Sequence, residues 1–329
     1  MRSEHPRRWP YIVAGSCAPG FDLRIPRIPT AGTRGSKLAL WQAGWVKSQL
    51  TEAGYDAELV IITTSGDVSA RPLSEVGGQG LFTKEIQREL LAGRVDVAVH
   101  SLKDLPTLAV PTLVLAAVPE RETTQDCLVS RSRATFEDLP AGSRIGTGSS
   151  RRQAQLRAWR SDIEVLDIRG NVDSRLQKLY DGEFEAIVLA VAGLTRLGLT
   201  EHITQRLPQD RVMPAIGQGA LGLECRESDH EARGALSKLN DPPSMAAVLA
   251  ERSLLANLLG GCMAPVAAHA TVVDRELTLR ARVLSVDGQQ QINGSEVGSV
   301  FDAVQIGARL AHRLNKQGAA QLIATARTT

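Results

Sequence analysis

Between Gly32 and Cys225, short apolar runs alternate with amphipathic stretches in two successive blocks. A strand–helix–strand order closes most simply into a mostly parallel sheet covered by helices, because parallel neighbours need a crossover between them. In the first block "SKLALWQAGWVKSQLTEAG" has helical spacing and stops at Gly54, a good residue just past a helix end. "AELVIITTSGD" and "RVDVAVH" read as strands, and "FTKEIQRELLAG" as a capped helix. Residues 67–81, "DVSARPLSEVGGQGL", are rich in Gly and polar residues and long for a connection, as mobile lids often are.

At "PERETTQ", 119–125, the pattern resets. "DCLVSR", "SRIGTG", "EVLDIRG" and "EAIVLAVAG" read as strands, with helices over "SSRRQAQLRAWR" and "NVDSRLQKLYDG". "RVMPAIGQGALGLEC" then offers a crossover and a returning strand. A chain that goes out and comes back makes two α/β lobes joined by a two-stranded hinge, with a cleft between them. From Asp241 the texture changes to a helix, alternating strands and a further helix, "DAVQIGARLAHRLNKQG", which implies a small α+β domain. The expected division is an N-terminal extension at 1–25, a first lobe at 26–119 plus 220–237, a second lobe at 125–213 and a third domain at 242–329. No internal sequence repeat is visible.

Composition narrows the function. Aromatics are only 4% of the 329 residues, too few for base-stacking platforms, and a net charge of +2 recruits no polyanion. No apolar run reaches the roughly 18–20 residues of a membrane span. Cys17, Cys127, Cys225 and Cys262 form no C-x-x-C pair, so neither a zinc knuckle nor a thioredoxin-like site is indicated and a reducing compartment fits; the six histidines show no metal spacing, so no metal site is expected. The Arg- and Pro-rich first 25 residues lack the apolar core of a secretory signal; a disordered tail is expected there, with a transit peptide or misassigned start as alternatives.

The apolar run "VDVAVH" ends in Ser101, Lys103 and Asp104. Ligands of open α/β sheets bind beyond the carboxyl ends of the strands. A carboxylate there can exchange protons or stabilise a developing cation; the alternative is a turn-forming Asp in a solvated loop. "GTGSSRRQ", 146–153, follows a strand and opens a helix, so free N–H groups, Ser149, Ser150, Arg151 and Arg152 can share one anion-binding corner. Its alternative is a capped helix with two exposed arginines. "DIRGNVDSR" puts Arg169 and Arg175, and "GTRGSK" puts Arg34 and Ser36, at two more strand-to-helix junctions. Arginine grips carboxylates in a two-point fork, so three such junctions on one cleft suit a ligand with several carboxylates. His100 reads as a strand-end residue packed under the loop. Cys262, in the turn "GGCMAP", is a spacer or a nucleophilic anchor.

In this order, "GTRGSKLALWQ", "GGQGLFTKE", "VHSLKDLPT", "RRQAQL", "RGNVDSRL", "AVAGLTRLGL", "PAIGQGALGLECR" and "GGCMAP" resemble the porphobilinogen deaminase (hydroxymethylbilane synthase) family from about Gly32 to near the C-terminus. The resemblance implies two lobes like those of periplasmic binding proteins plus a third domain, in a monomeric, cytoplasmic enzyme. It implies head-to-tail condensation of four porphobilinogen molecules into 1-hydroxymethylbilane with release of four ammonia. It implies a dipyrromethane cofactor held by a thioether on Cys262, and Asp104 as catalytic residue. Ser101, Lys103, Asp104, Thr147, Ser149, Arg151, Arg152 and Arg175 are the expected cofactor-binding set; Arg34, Ser36, Arg169 and Arg175 the expected substrate-binding set. No nucleic-acid or membrane partner is implied. Gln79 stands where many members carry a lysine, and Pro26 and Pro29 precede the first motif where members have a cleaner strand. The rival reading is a non-catalytic two-lobed carboxylate- or anion-binding protein.

Overall fold

The computed structural model describes residues 30–63, 83–258 and 264–328. The N-terminal extension, the stretch 67–81 with Gln79, Pro26 and Pro29, and Cys262 all lie outside the described residues.

The first sheet has the order β2-β1-β3-β10-β4, from Thr30–Thr33 (β1), Glu58–Ile61 (β2), Val97–Ser101 (β3), Leu113–Ala117 (β4) and Leu221–Arg226 (β10). The second has the order β7-β6-β8-β5-β9, from Asp126–Ser130 (β5), Arg144–Gly146 (β6), Glu164–Leu166 (β7), Ala186–Ala190 (β8) and Gln205–Arg206 (β9). The two orders are equivalent place for place, although no sequence repeat announces it. β1 runs parallel to β2 and β3, and β6 parallel to β7 and β8. β10 opposes β3 and β4, and β5 opposes β8 and β9. The reversed strands follow from the path: a strand entering a lobe from its neighbour runs against the strand that leaves toward it. β4 leaves the first lobe and is parallel to β3, so the carboxyl end of β3 faces the second lobe. β9 leaves the second lobe and is parallel to β8, so the carboxyl ends of β6 and β8 face the first. The strand ends where ligands collect therefore look at one another across the cleft.

The helices follow local rules. Ser36 caps helix α1 (Lys37–Glu52), its hydroxyl accepting from the Ala39 N–H at 3.3 Å, and Gln42, Ala43, Val46 and Leu50 form its buried face. Helix α2 (Lys84–Leu91) covers the first sheet through Ile86 and Leu90. In the second lobe helices α3 (Ser150–Trp159) and α4 (Val172–Tyr180) follow β6 and β7. The run read from sequence as one strand, "EAIVLAVAG", divides: β8 ends at Ala190 and helix α5 occupies Val191–Leu197, leaving through Gly198 at φ 68. Six of the nine residues of that run are buried and the other three half-buried, so no hydrophobic period marks the change.

Helix α6 (His230–Ser237) packs on the first sheet, and helix α7 (Pro242–Asn257) opens the third unit. Strands Val266–Val273 (β11), Glu276–Leu284 (β12) and Gln291–Ser299 (β13) form an antiparallel meander under helices α7, α8 (Ala303–Lys316) and α9 (Ala319–Thr328). Sequence reading did not single out β13 or α9.

Glu251, on α7 and 0% exposed, fastens this unit to the hinge. It accepts from Arg121 Nη1 and Nη2 at 2.8 and 3.0 Å, from the Gly217 N–H at 2.7 Å and from the Ala270 N–H at 2.8 Å. Arg121 lies on the outgoing hinge segment and Gly217 on the returning one, so one buried carboxylate ties both to the third unit.

Candidate active site

β3 delivers the chain to a 3-10 turn, Leu102–Asp104, at the first lobe's side of the cleft. Burial on both faces of Val97, Ala98 and Val99 fixes where the strand ends, and the Leu102 N–H donates to Ala220 O of the returning segment at 3.0 Å. Asp104, half-buried, lines a pocket together with Arg34, Gln42, Thr83, His100 and Ser101. Gln42 and Ser101 lock together, Nε2 to Oγ at 2.9 Å and Oγ to Oε1 at 3.1 Å. Beneath them His100 Nε2 lies 2.9 Å from Glu224 Oε2, and Gln87 Nε2 donates to both Glu224 oxygens at 3.2 and 3.0 Å. His100 is thus a buried strand-end residue with a carboxylate partner.

The second lobe supplies the opposite wall. Arg151 and Arg152, in the first turn of α3, are only 4% and 6% exposed, which removes the reading of two exposed arginines. Arg151 Nη2 donates to Asp126 Oδ2 at 2.8 Å and Arg152 Nη2 to Asp126 Oδ1 at 2.7 Å. Their Nη1 groups bond Met213 O and Val188 O, and both Nε–H groups are buried without a partner among the described residues. Burial pushes the Asp126 carboxyl up, but the two guanidiniums outweigh it and hold it well below the usual carboxylate range. Thr147, 0% exposed, presents no surface to the cleft in this conformation; its hydroxyl accepts from the Ser149 N–H at 3.4 Å. Ser149 precedes α3 and makes no side-chain cap. Arg169 Nε pairs with Asp167 Oδ2 at 3.0 Å, and Arg175 Nε donates to Gly170 O at 2.8 Å.

The electrostatics join the two walls. Lys103 is accessible from the cleft, yet protein atoms crowd its ammonium. That crowding pushes its pKa down to about 8, with Arg152 and Arg151 acting the same way and Asp104 and Asp126 opposing. Water in the open cleft limits the shift. Burial brings Arg175 down to about 10, with Arg152 and Arg169 adding to the effect and Asp167 and Asp104 opposing it. Lys103 and Asp104 of one lobe therefore lie in the field of Asp126, Arg151, Arg152 and Arg175 of the other.

Arg252 is a functional candidate that sequence reading missed. It stands on α7 and donates from Nη1 to Leu105 O at 2.9 Å and from Nη2 to Pro106 O at 2.7 Å, gripping the chain just after Asp104. Asp126 was read only as part of a strand and Glu251 only as part of a helix. Their roles depend on partners distant in sequence, which no local pattern signals.

Among the described residues no cluster of His, Cys, Asp and Glu can hold a metal ion, and no helix is long and apolar enough to cross a membrane. The family model described as "Porphobilinogen deaminase, dipyromethane cofactor binding domain" matches residues 30–234, and "Porphobilinogen deaminase, C-terminal domain" matches 245–316. The chain is 47% identical over 296 residues to the porphobilinogen deaminase of Geobacter sulfurreducens, covering 89% of this chain and 93% of that one. It is 45% identical over 318 residues to that of Nocardia farcinica, covering 94% and 90%. Among solved structures, a YaeC-family lipoprotein from Enterococcus faecalis aligns at a TM-score of 0.39 and 14% identity, covering 64% of this chain and 90% of that one. A likeness at that level carries no argument of its own.

Proposed function

The chain belongs to the porphobilinogen deaminase family, and from that premise we propose that its cleft condenses porphobilinogen at a single carboxylate, Asp104. The enzyme is a transferase, a hydroxymethylbilane synthase, and its cofactor is dipyrromethane. The observation that carries the proposal is the meeting of Asp104 and Lys103 with Arg151, Arg152 and Arg175 across one cleft.

The donor set fits a group with several carboxylate arms. Guanidinium and ammonium groups outnumber the carboxylates Asp104, Asp126 and Asp167, and the Nε–H groups of Arg151 and Arg152 have no partner among the described residues. Lys103, Ser149, Arg151, Arg152 and Arg175 would hold the dipyrromethane, with Ser101 beside Asp104, and Cys262 would attach it. Thr147 would contribute by supporting the Ser149 corner. When bound, dipyrromethane supplies the primer to which substrate units are joined.

Arg34, Ser36, Arg169 and Arg175 would receive the acetate and propionate arms of incoming porphobilinogen. Fixing both arms orients the pyrrole and lowers the entropic barrier to bond formation. Porphobilinogen releases ammonia, and the electron-poor ring left behind is stabilised by the Asp104 carboxylate, which also accepts the pyrrole N–H. The same carboxylate moves the proton released when aromaticity returns. Lys103 places a positive charge beside the Asp104 turn, where it can hold a carboxylate arm of the bound chain. The proposal includes a monomeric, cytoplasmic enzyme; the absence of any C-x-x-C pair supports a reducing compartment.

The test is direct. Purified protein is incubated with porphobilinogen, the product is oxidised, and porphyrin absorbance is read. Intact mass of the same preparation should exceed the sequence mass by two substrate-derived pyrrole units, lost in Cys262→Ala. Tight binding without porphyrin, on an unmodified chain, would return the rival binding-protein reading.

A further inference from the structure

The segment Gly217–Gly219 passes between three working parts. A Cβ on Gly219 would lie 2.3 Å from Glu122 O of the outgoing hinge segment, and one on Gly217 would lie 3.3 Å from the Lys103 amide nitrogen. Both glycines have positive φ, 69° and 84°, so the backbone turns here in a way an L side chain resists. Between them stands Gln218, 1% exposed.

Its contacts run in two directions. Its main-chain oxygen accepts from Arg121 Nε at 2.8 Å, and Arg121 forks onto Glu251 of α7. Its side-chain Nε2 donates to Thr124 O at 2.6 Å and to Asp126 Oδ1 at 2.8 Å. Both partners are acceptors, so the amide orientation is settled by chemistry. Gln218 Oε1 is left buried and without a partner among the described residues. A buried unpaired acceptor is unfavourable. The amide is therefore held by what its N–H groups do, against a penalty at its oxygen.

We propose that Gln218 is a positioning residue. It fixes the plane of the Asp126 carboxylate, and through it Arg151 and Arg152, in register with the hinge and with helix α7. Arg151 holds Asp126 Oδ2, and Arg152 and Gln218 share Oδ1, so without the amide Oδ1 keeps a single donor among the described residues and the Arg152 contact loses its counterpart. α7 also reaches the Asp104 turn through Arg252, so one helix sets both walls of the cleft. This inference rests on the proposed role of the arginine pair toward the cofactor's carboxylates.

The test compares Gln218→Met and Gln218→Asn with the wild type. Methionine keeps the volume without the N–H groups; asparagine keeps the amide but is too short to reach. In both, kcat should fall roughly tenfold, the equivalent of one lost hydrogen bond to a charged group, with KM for porphobilinogen within about twofold. Labelling of Arg151 and Arg152 by an arginine-selective dicarbonyl, read by peptide mass mapping, should accelerate severalfold. The denaturation midpoint should fall only modestly in Gln218→Met, because losing the unpaired Oε1 offsets part of what the freed Thr124 carbonyl and Asp126 carboxylate cost. Unchanged labelling, or a kcat loss that merely follows loss of folded protein, overturns the proposal. If the wild type itself makes no hydroxymethylbilane, the proposed function fails instead, and the labelling comparison still decides the positioning of the arginines.

Discussion

Lys37 Nζ stands 3.1 Å from Asp173 Oδ2, joining the first turn of α1 in one lobe to the first turn of α4 in the other. A lysine at the first position of a helix opposes its dipole, so local propensity does not explain Lys37; the partner across the cleft mouth does. Both side chains are solvent-accessible, which keeps the pair weak. A double-mutant cycle of Lys37→Gln and Asp173→Asn should give a coupling of about 0.2–1 kcal/mol at low ionic strength. It should approach zero near 1 M salt, where the screening length is about 3 Å. A coupling indifferent to salt would speak against an ion pair between the lobes.

Arg121 and Glu251 form the opposite case, a buried two-point pair at the junction of the hinge and the third unit. Arg121→Leu leaves the Glu251 carboxylate with two backbone donors and without its guanidinium partner. Stability should drop by about 3–5 kcal/mol, seen as a lower denaturant midpoint. A change below about 1 kcal/mol would mean that the pair does not fasten the unit.

Lys103 gives a pH dependence with a definite sign. Its pKa is lowered from 10.5 to about 8, so in that window the unfolded chain binds more protons and this group makes stability rise with pH. Activity moves the other way, because the neutral amine no longer supports the ionised cleft. The kcat/KM profile should bend down on its alkaline side below the ordinary lysine range, and Lys103→Arg should push that bend to higher pH. An identical alkaline limb in the variant would remove Lys103 from the account.

Arg252 holds the carbonyls of Leu105 and Pro106 from α7. Arg252→Ala should release the turn that carries Asp104. The expected result is a kcat reduced roughly tenfold, with a stability loss of about 1–3 kcal/mol from the freed carbonyls. Equal kcat values for the two proteins at a temperature where both are folded would contradict the positioning role.

Much of this architecture can be read in the chain, for identifiable reasons. Strands β3, β5 and β8 are short apolar runs bounded by charges or turns, α1 is marked by its Ser36 cap and by Gly54 beyond its end, and α8 has strong helical spacing. β13 hid because "QINGSEVGS" alternates around two glycines and packs only one face. The start of α5 hid inside a fully apolar run. At the site, Asp104 and the arginines sit at strand-to-helix junctions that sequence marks well. Asp126, Gln218, Glu251 and Arg252 act through partners far away in the chain, and only the folded structure brings those together.

The central claim is that one carboxylate serves every addition. Asp104→Asn preserves the volume and hydrogen-bonding capacity of the side chain while removing its charge and basicity. Steady-state production of hydroxymethylbilane by that variant, with far-ultraviolet circular dichroism to verify the fold, tests it most directly. The account predicts a loss of about 10²–10⁴-fold at unchanged fold; turnover within a few-fold of wild type would contradict it.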